Sequence, residues 1–117
     1  MKYMLLIYGD ENALTQPVRE ACYQESLAYT HELKSQGKYI SASPLHASGS
    51  AKSVRVKDGH AMVTDGPFAE THEQLGGYFM VDVEDMDEAL AIAKRLPGGK
   101  FGTVEVRPVV ELENLPS

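Results

Sequence analysis

Two segments of this chain are apolar on both of their alternating faces, and they constrain the fold more than anything else in it. Lys2-Tyr3-Met4-Leu5-Leu6-Ile7-Tyr8 and Tyr78-Phe79-Met80-Val81-Asp82-Val83 read as strands covered from above and below. Only two stretches have a helical period to do the covering. The first, from about Pro17 to Gln36, carries Val18, Ala21, Cys22, Tyr29 and Leu33 on one stripe. Pro17 suits its first turn and Gly37 its end. Tyr23 and Leu27 lie off that stripe, one turn apart, and predict a second contact. The other helix follows Asp85, which with Glu88 makes a capping-box pattern. Met86, Ala89, Leu90, Ala93 and Leu96 form its stripe, and Pro97-Gly98-Gly99 ends it. Two helices cover one face of a sheet. The second face needs another cover, and a second copy of the same sheet is the simplest one. The sequence therefore predicts a homodimer whose sheets face each other around a partly enclosed space.

The remaining elements fill in the order. Lys38 to Ser43 reads as a short strand stopped by Pro44. Ser53 to Lys57 and His60 to Thr64 flank Asp58-Gly59, the strongest short hairpin signal. A two-residue turn sets Val56 opposite Ala61 and Val54 opposite Val63 on a dry face, with Arg55, Lys57, His60 and Met62 on a wet one. Thr103 to Arg107 is a last strand, and Glu70 to Leu75 is expected to be a short helical turn. The series is β-α-β, a hairpin, then β-α-β: an α+β, ferredoxin-like βαββαβ arrangement with an inserted β-hairpin. Residues 1–110 make one domain and 111–117 a tail.

Composition narrows the function classes. A 117-residue chain that is 43% apolar and 24% charged fits a soluble domain with its own core. Its net charge of −6 argues against nucleic acid, which needs clustered cations. No apolar run approaches the length of a membrane span, and Met1-Lys2-Tyr3 leads straight into a strand without a signal segment. Cys22 stands alone, which rules out an internal disulfide and a cysteine zinc cage. A cytoplasmic protein with no cofactor and no metal is expected.

The chemistry-bearing residues gather around Asp65-Gly66-Pro67-Phe68-Ala69-Glu70-Thr71, running on to Gly76-Gly77-Tyr78. Asp65, leaving a strand end, suits a general base or a ligand acceptor, but Asp-Gly-Pro is first of all ordinary turn chemistry. His46, in the small-residue loop after Pro44, is within reach of the sheet face near Asp65 and would complete a histidine–carboxylate pair, unless it is a solvated loop histidine. Glu70 is a weaker companion. Arg55 and Arg107 suit a ligand carboxylate, although Arg107 has Glu105 nearby as a pairing partner. Tyr3 and Tyr78 could line the space between sheets, or simply be core. His72 between Glu70 and Glu73 has no distant co-ligand for a metal. Cys22 reads as an inert thiol.

Met1 to Tyr8, Thr64-Asp65-Gly66-Pro67-Phe68-Ala69-Glu70-Thr71, Glu73-Gln74-Leu75-Gly76-Gly77-Tyr78 and Val104-Glu105-Val106-Arg107-Pro108 together resemble the YCII-related, DGPF-type proteins over nearly the whole chain. The resemblance implies a dimeric α/β-barrel. In the wider superfamily a histidine on the first helix and an aspartate after the second are proposed as an acid–base pair. Here those stretches are Glu25-Ser26-Leu27 and Leu96-Pro97-Gly98, so that pair does not carry over. Two functions fit. One is a cofactor-free enzyme using Asp65 and His46 for proton transfer on a small polar or aromatic ligand held by Arg55, Glu70, Tyr78 and Arg107. The other is a non-catalytic binding or accessory module, since family members resemble companions of alternative sigma factors.

Overall fold

The computed structural model describes residues 1–116. Six strands and two α-helices follow one another as β1 (Lys2–Gly9), α1 (Gln16–Ser35), β2 (Tyr39–Pro44), β3 (Lys52–Lys57), β4 (His60–Asp65), β5 (Gln74–Asp82), α2 (Met86–Lys94) and β6 (Gly102–Pro108). Short 3-10 turns at Ser48–Ser50 and Pro97–Lys100 lie between them. β2, β5, β1 and β6 form one antiparallel sheet in that order, while β3 and β4 pair only with each other. This is the ferredoxin-like α+β arrangement expected from the element order. Ser117, the last residue of the expected tail, lies outside the described residues; 111–116 contain no helix or strand.

The doubly apolar strands are the two central ones. β1 pairs with β5 (Tyr3 opposite Val81, Leu5 opposite Phe79) and with β6 (Leu5 opposite Val106, Ile7 opposite Val104). Tyr3, Leu5, Phe79 and Val81 are buried under Tyr29 and Leu33 of α1 and Ala89, Ile92 and Ala93 of α2, and Leu96 completes the cluster. Fully burying Leu5, Leu33 and Val81 contributes about 1.5–3 kcal/mol each. The alternate residues Met4, Leu6, Tyr8, Tyr78 and Met80 face away from the helices and remain half-exposed.

Each helix is held as its sequence suggests, with shifts of detail. Asp85 accepts a hydrogen bond from the Glu88 amide at 2.9 Å, but the Glu88 carboxylate reaches the amide of Glu84 rather than that of the cap residue. In α2 the buried stripe runs through Ile92 rather than Leu90, which is exposed. Tyr3, expected as a possible lining for the inter-sheet space, instead faces the helices as core, because alternation puts it beside Leu5. The helical turn expected over Glu70 to Leu75 does not form. Gln74 already belongs to β5, and Glu70 to Glu73 are irregular. β5 starts early because Tyr8 and Gly9 extend β1 far enough to pair with Leu75 and Gln74.

The hairpin matches its sequence signal. Val56 pairs with Ala61 and Val54 with Val63. Asp58 and Gly59 both take positive φ, 53° and 78°, the two-residue turn whose twist suits paired strands.

Candidate functional site

The first helix does not lie flat on the sheet. Of its expected stripe only Tyr29 and Leu33 are buried, whereas Val18 and Ala21 are exposed and Cys22 is half-buried. The other end of α1 stands away from the sheet and leaves a cleft of about 790 Å³, within the ordinary size range of small-molecule sites. Arg19, Tyr23, Ser26, Leu27 and Thr30 line one wall. They recur at helical spacing, so they form a second stripe beside the buried one. Tyr23 and Leu27, expected to make a second contact, are its apolar members.

The opposite wall comes from the sheet: Ile7, Ala42, Gly76, Gly77, Tyr78 and Phe79. Between Ile7 and Tyr8 the β1–β5 register slips by one residue. Gly77 is buried, and a Cβ there would lie 3.0 Å from the Ser43 carbonyl oxygen. The two glycines therefore keep this part of the floor free of side chains. Pro44 at the end of β2 and Leu45, His46 and Ala47 of the following loop close one end, and the loop after β1 closes another with Asp10, Glu11 and Leu14.

The rim is organised by Glu11. Its carboxylate accepts from the Ser48 amide at 2.5 Å and from the Ser48 hydroxyl at 2.8 Å. Its carbonyl oxygen accepts from Arg19 Nη2 at 2.9 Å, and its amide donates to Gln74 Oε1 at 3.2 Å. One residue thus ties together the loop after β1, the helix, the loop leading to the hairpin and the start of β5. Arg19 uses one of its five N–H donors in this way and keeps others for a ligand. Asp10 accepts from the Asn12 amide at 2.9 Å and stands 3.6 Å from His72 Nε2. His46 is exposed in the loop after β2, as a solvated loop histidine would be, and it also lines the cleft.

The structure divides the residues singled out by sequence. His46 lines the cleft, and Tyr78 borders it where β5 passes, although alternation turns its side chain to the sheet face away from the helices. Asp65, Arg55, Glu70 and Arg107 are not among its lining residues. Asp65 ends β4 on the hairpin, 86% exposed, with its carboxylate 2.6 Å from Lys52 Nζ. The following Gly66 takes φ 91°, donates its amide to the Ala51 carbonyl at 2.7 Å and accepts from the Ser53 hydroxyl at 2.9 Å. This supports the turn-forming side of the Asp-Gly-Pro reading. Arg55 lies on the exposed hairpin, Glu70 is exposed in the loop, and Arg107 stands 3.7 Å from Glu105 on the same strand rather than on a neighbouring one. Arg19 and Glu11 were not singled out in the sequence. The signal for Arg19 was its place one turn before Tyr23 on the stripe set aside as secondary.

Among the groups with shifted protonation, Cys22 lines the cleft and Tyr29 lies in the core. Burial pushes the Cys22 thiol up, Glu25 adds to that and Lys100 opposes it, which agrees with an unreactive thiol. Burial likewise raises the Tyr29 hydroxyl, against the nearby Arg95 guanidinium, which lies 4.4 Å from the ring centre. Among the described residues, no three His, Cys, Asp or Glu side chains gather as a metal site, and no helix is long and apolar enough to cross a membrane.

A YCII-related domain matches residues 1–113. The chain belongs to the YCII-related family. An uncharacterised protein of Rhizobium meliloti is 34% identical over 114 residues, covering 93% of this chain and 92% of its own. Among solved structures, the 5-chloro-2-hydroxyhydroquinone dehydrochlorinase TftG of Burkholderia phenoliruptrix, in complex with 2,5-dihydroxybenzoquinone, superposes with a TM-score of 0.58. That alignment covers 97% of both chains at 18% identity, so it speaks to the fold of this YCII-related chain and not to its chemistry.

Proposed function

We propose that this YCII-related protein is an enzyme for a small molecule with an apolar body and a polar or anionic end, working by acid–base chemistry with its own side chains in the cleft between α1 and the sheet. The observation that carries this reading is the cleft itself. It has an apolar floor and walls, with a guanidinium and an imidazole on its lining and a rim braced by Glu11. Arg19 would hold the anionic end through its remaining donors. His46 would move the proton, histidine being the side chain suited to that at neutral pH. Asp65 has its place in this reading at the hairpin root with Lys52, not beside His46. The fold resembles that of a dehydrochlorinase, which supports an enzyme by analogy of architecture alone.

The same reading takes the protein to be a cytoplasmic homodimer. Met4, Leu6, Tyr8, Tyr78 and Met80 form an apolar sheet face left half-exposed by the two helices, and a second copy would cover it in the manner of a dimeric barrel.

The test is turnover across a panel of small phenolic and carboxylic acids, followed by two substitutions. For any compound turned over, His46→Ala is expected to lower kcat by about 10²–10⁴-fold with little change in binding, and Arg19→Met to weaken binding instead. Turnover unchanged in His46→Ala would remove this histidine from the chemistry. Saturable binding without turnover of any compound would favour the accessory-module reading.

A further inference from the structure

The β3–β4 hairpin has no reason to be ordered by the chain that carries it. Its two strands pair with each other and pack substantially on no other element, and a two-stranded hairpin alone is marginal in water. All six residues of β4 are exposed, as are five of the six in β3. The dry face predicted for it is not dry: Val54 is 65% exposed, Val56 67% and Val63 61%. Just past its root, Phe68 is 84% exposed. The arm also stretches the molecule. The radius of gyration is 15.9 Å, against about 13 Å for a compact domain of this length.

The root, by contrast, is well made. The Gly66 amide, the Ser53 hydroxyl and the Lys52–Asp65 ion pair close it, and Glu11 fixes the loop leading into it through Ser48. An arm with a braced root, a defined tip and an uncovered apolar face is shaped to meet something outside its own chain.

We propose that the arm is an intersubunit clasp, laying Val54, Val56, Ala61 and Val63 against the uncovered sheet face of a second copy at the rim between the two facing sheets. This rests on the dimer proposed above and adds which part of each chain grips the other. The second copy is favoured over a foreign partner by what this chain itself offers. Met4, Leu6, Tyr8, Tyr78 and Met80 supply an apolar face that is also uncovered, and a two-fold arrangement lets each arm meet the other chain's face. Charge agrees. Residues 52–65 hold three cations and two carboxylates, +1, which leaves −7 on the rest of a chain of net −6, so a weakly basic arm meets an acidic body.

Sedimentation and hydrogen exchange on the whole protein test the clasp together with Val54→Asp/Val63→Asp. These positions are exposed in the single chain, so the folded monomer should survive, as circular dichroism would verify. The expected result is a wild-type dimer whose arm amides are protected and lose protection on dilution to monomer. The double variant should dissociate about 100-fold more readily. A wild-type dimer with freely exchanging arm amides, and an unchanged dissociation constant in the variant, would overturn the clasp and leave the dimer standing. A wild-type chain that stays monomeric at micromolar concentration would overturn both. Arm amides protected at every concentration in a monomer would place the arm on its own chain and overturn the clasp.

Discussion

The two ends of α1 meet the same sheet differently. At the C-terminal end Tyr29 and Leu33 are buried against Phe79 and Val81, and the outside of that contact is bound down. Arg95 lies over the Tyr29 ring and reaches Glu32 at 2.9 Å, while Lys38 reaches Glu88 of α2 at 2.9 Å. At the N-terminal end the helix presents Arg19, Tyr23 and Leu27, and the sheet presents Gly76 and Gly77 instead of large side chains. Side-chain volume explains the contrast. Large residues from both layers interlock at one end, whereas the glycines leave room at the other. One helix thus serves as core at its end and as a binding wall at its start.

If that contrast is right, equal truncations should have unequal effects. Leu33→Ala should cost about 2–5 kcal/mol, as for a fully buried leucine that leaves a cavity. Leu27→Ala, at a position 53% exposed, should stay within about 0.5 kcal/mol. Urea unfolding of both variants measures the difference, and comparable losses would mean that the cleft is closed in solution.

A smaller effect sharpens the closed end through pH. The hydrogen bond from Lys38, followed by that from the Glu84 amide, holds the Glu88 carboxyl below its ordinary range. A folded value below the unfolded one makes the contribution present above the unfolded pKa and lost as pH falls through the folded one. Glu88→Gln should therefore flatten part of the fall in Tm on acidification below about pH 5. Identical acid-side slopes for the variant and the parent would show that this pair does not hold the helices in solution.

The architecture was legible because it rests on local signals that agree. Alternation in Lys2 to Tyr8, the Asp85 cap and the Asp58-Gly59 turn each act within a few residues, and all point to one topology. The site was less legible because it is assembled from tertiary placement. His46, in its small-residue loop, lines the cleft. Asp65 drew attention through a motif whose glycine and proline shape the hairpin root. Arg19 looked like an ordinary surface cation on a helix, and only the tilt of α1 turns its stripe toward the sheet. Opposite that stripe stand Gly76 and Gly77, far along the chain, and no local pattern in the helix records that it faces residues without side chains. The early start of β5 has no local signal for a related reason, since Gln74 and Leu75 are recruited by the end of β1 and not by their own propensity.

The function proposed for the cleft requires the open end of α1 to be a binding site. Amide chemical shifts of the labelled protein, followed through titration with small phenolic and carboxylic acids, test that most directly. The prediction is saturable shifts grouped at Arg19, Tyr23, His46, Gly76 and Gly77, and none along Val54 to Val63. Saturable shifts confined to the hairpin, or the absence of any across the panel, would contradict it.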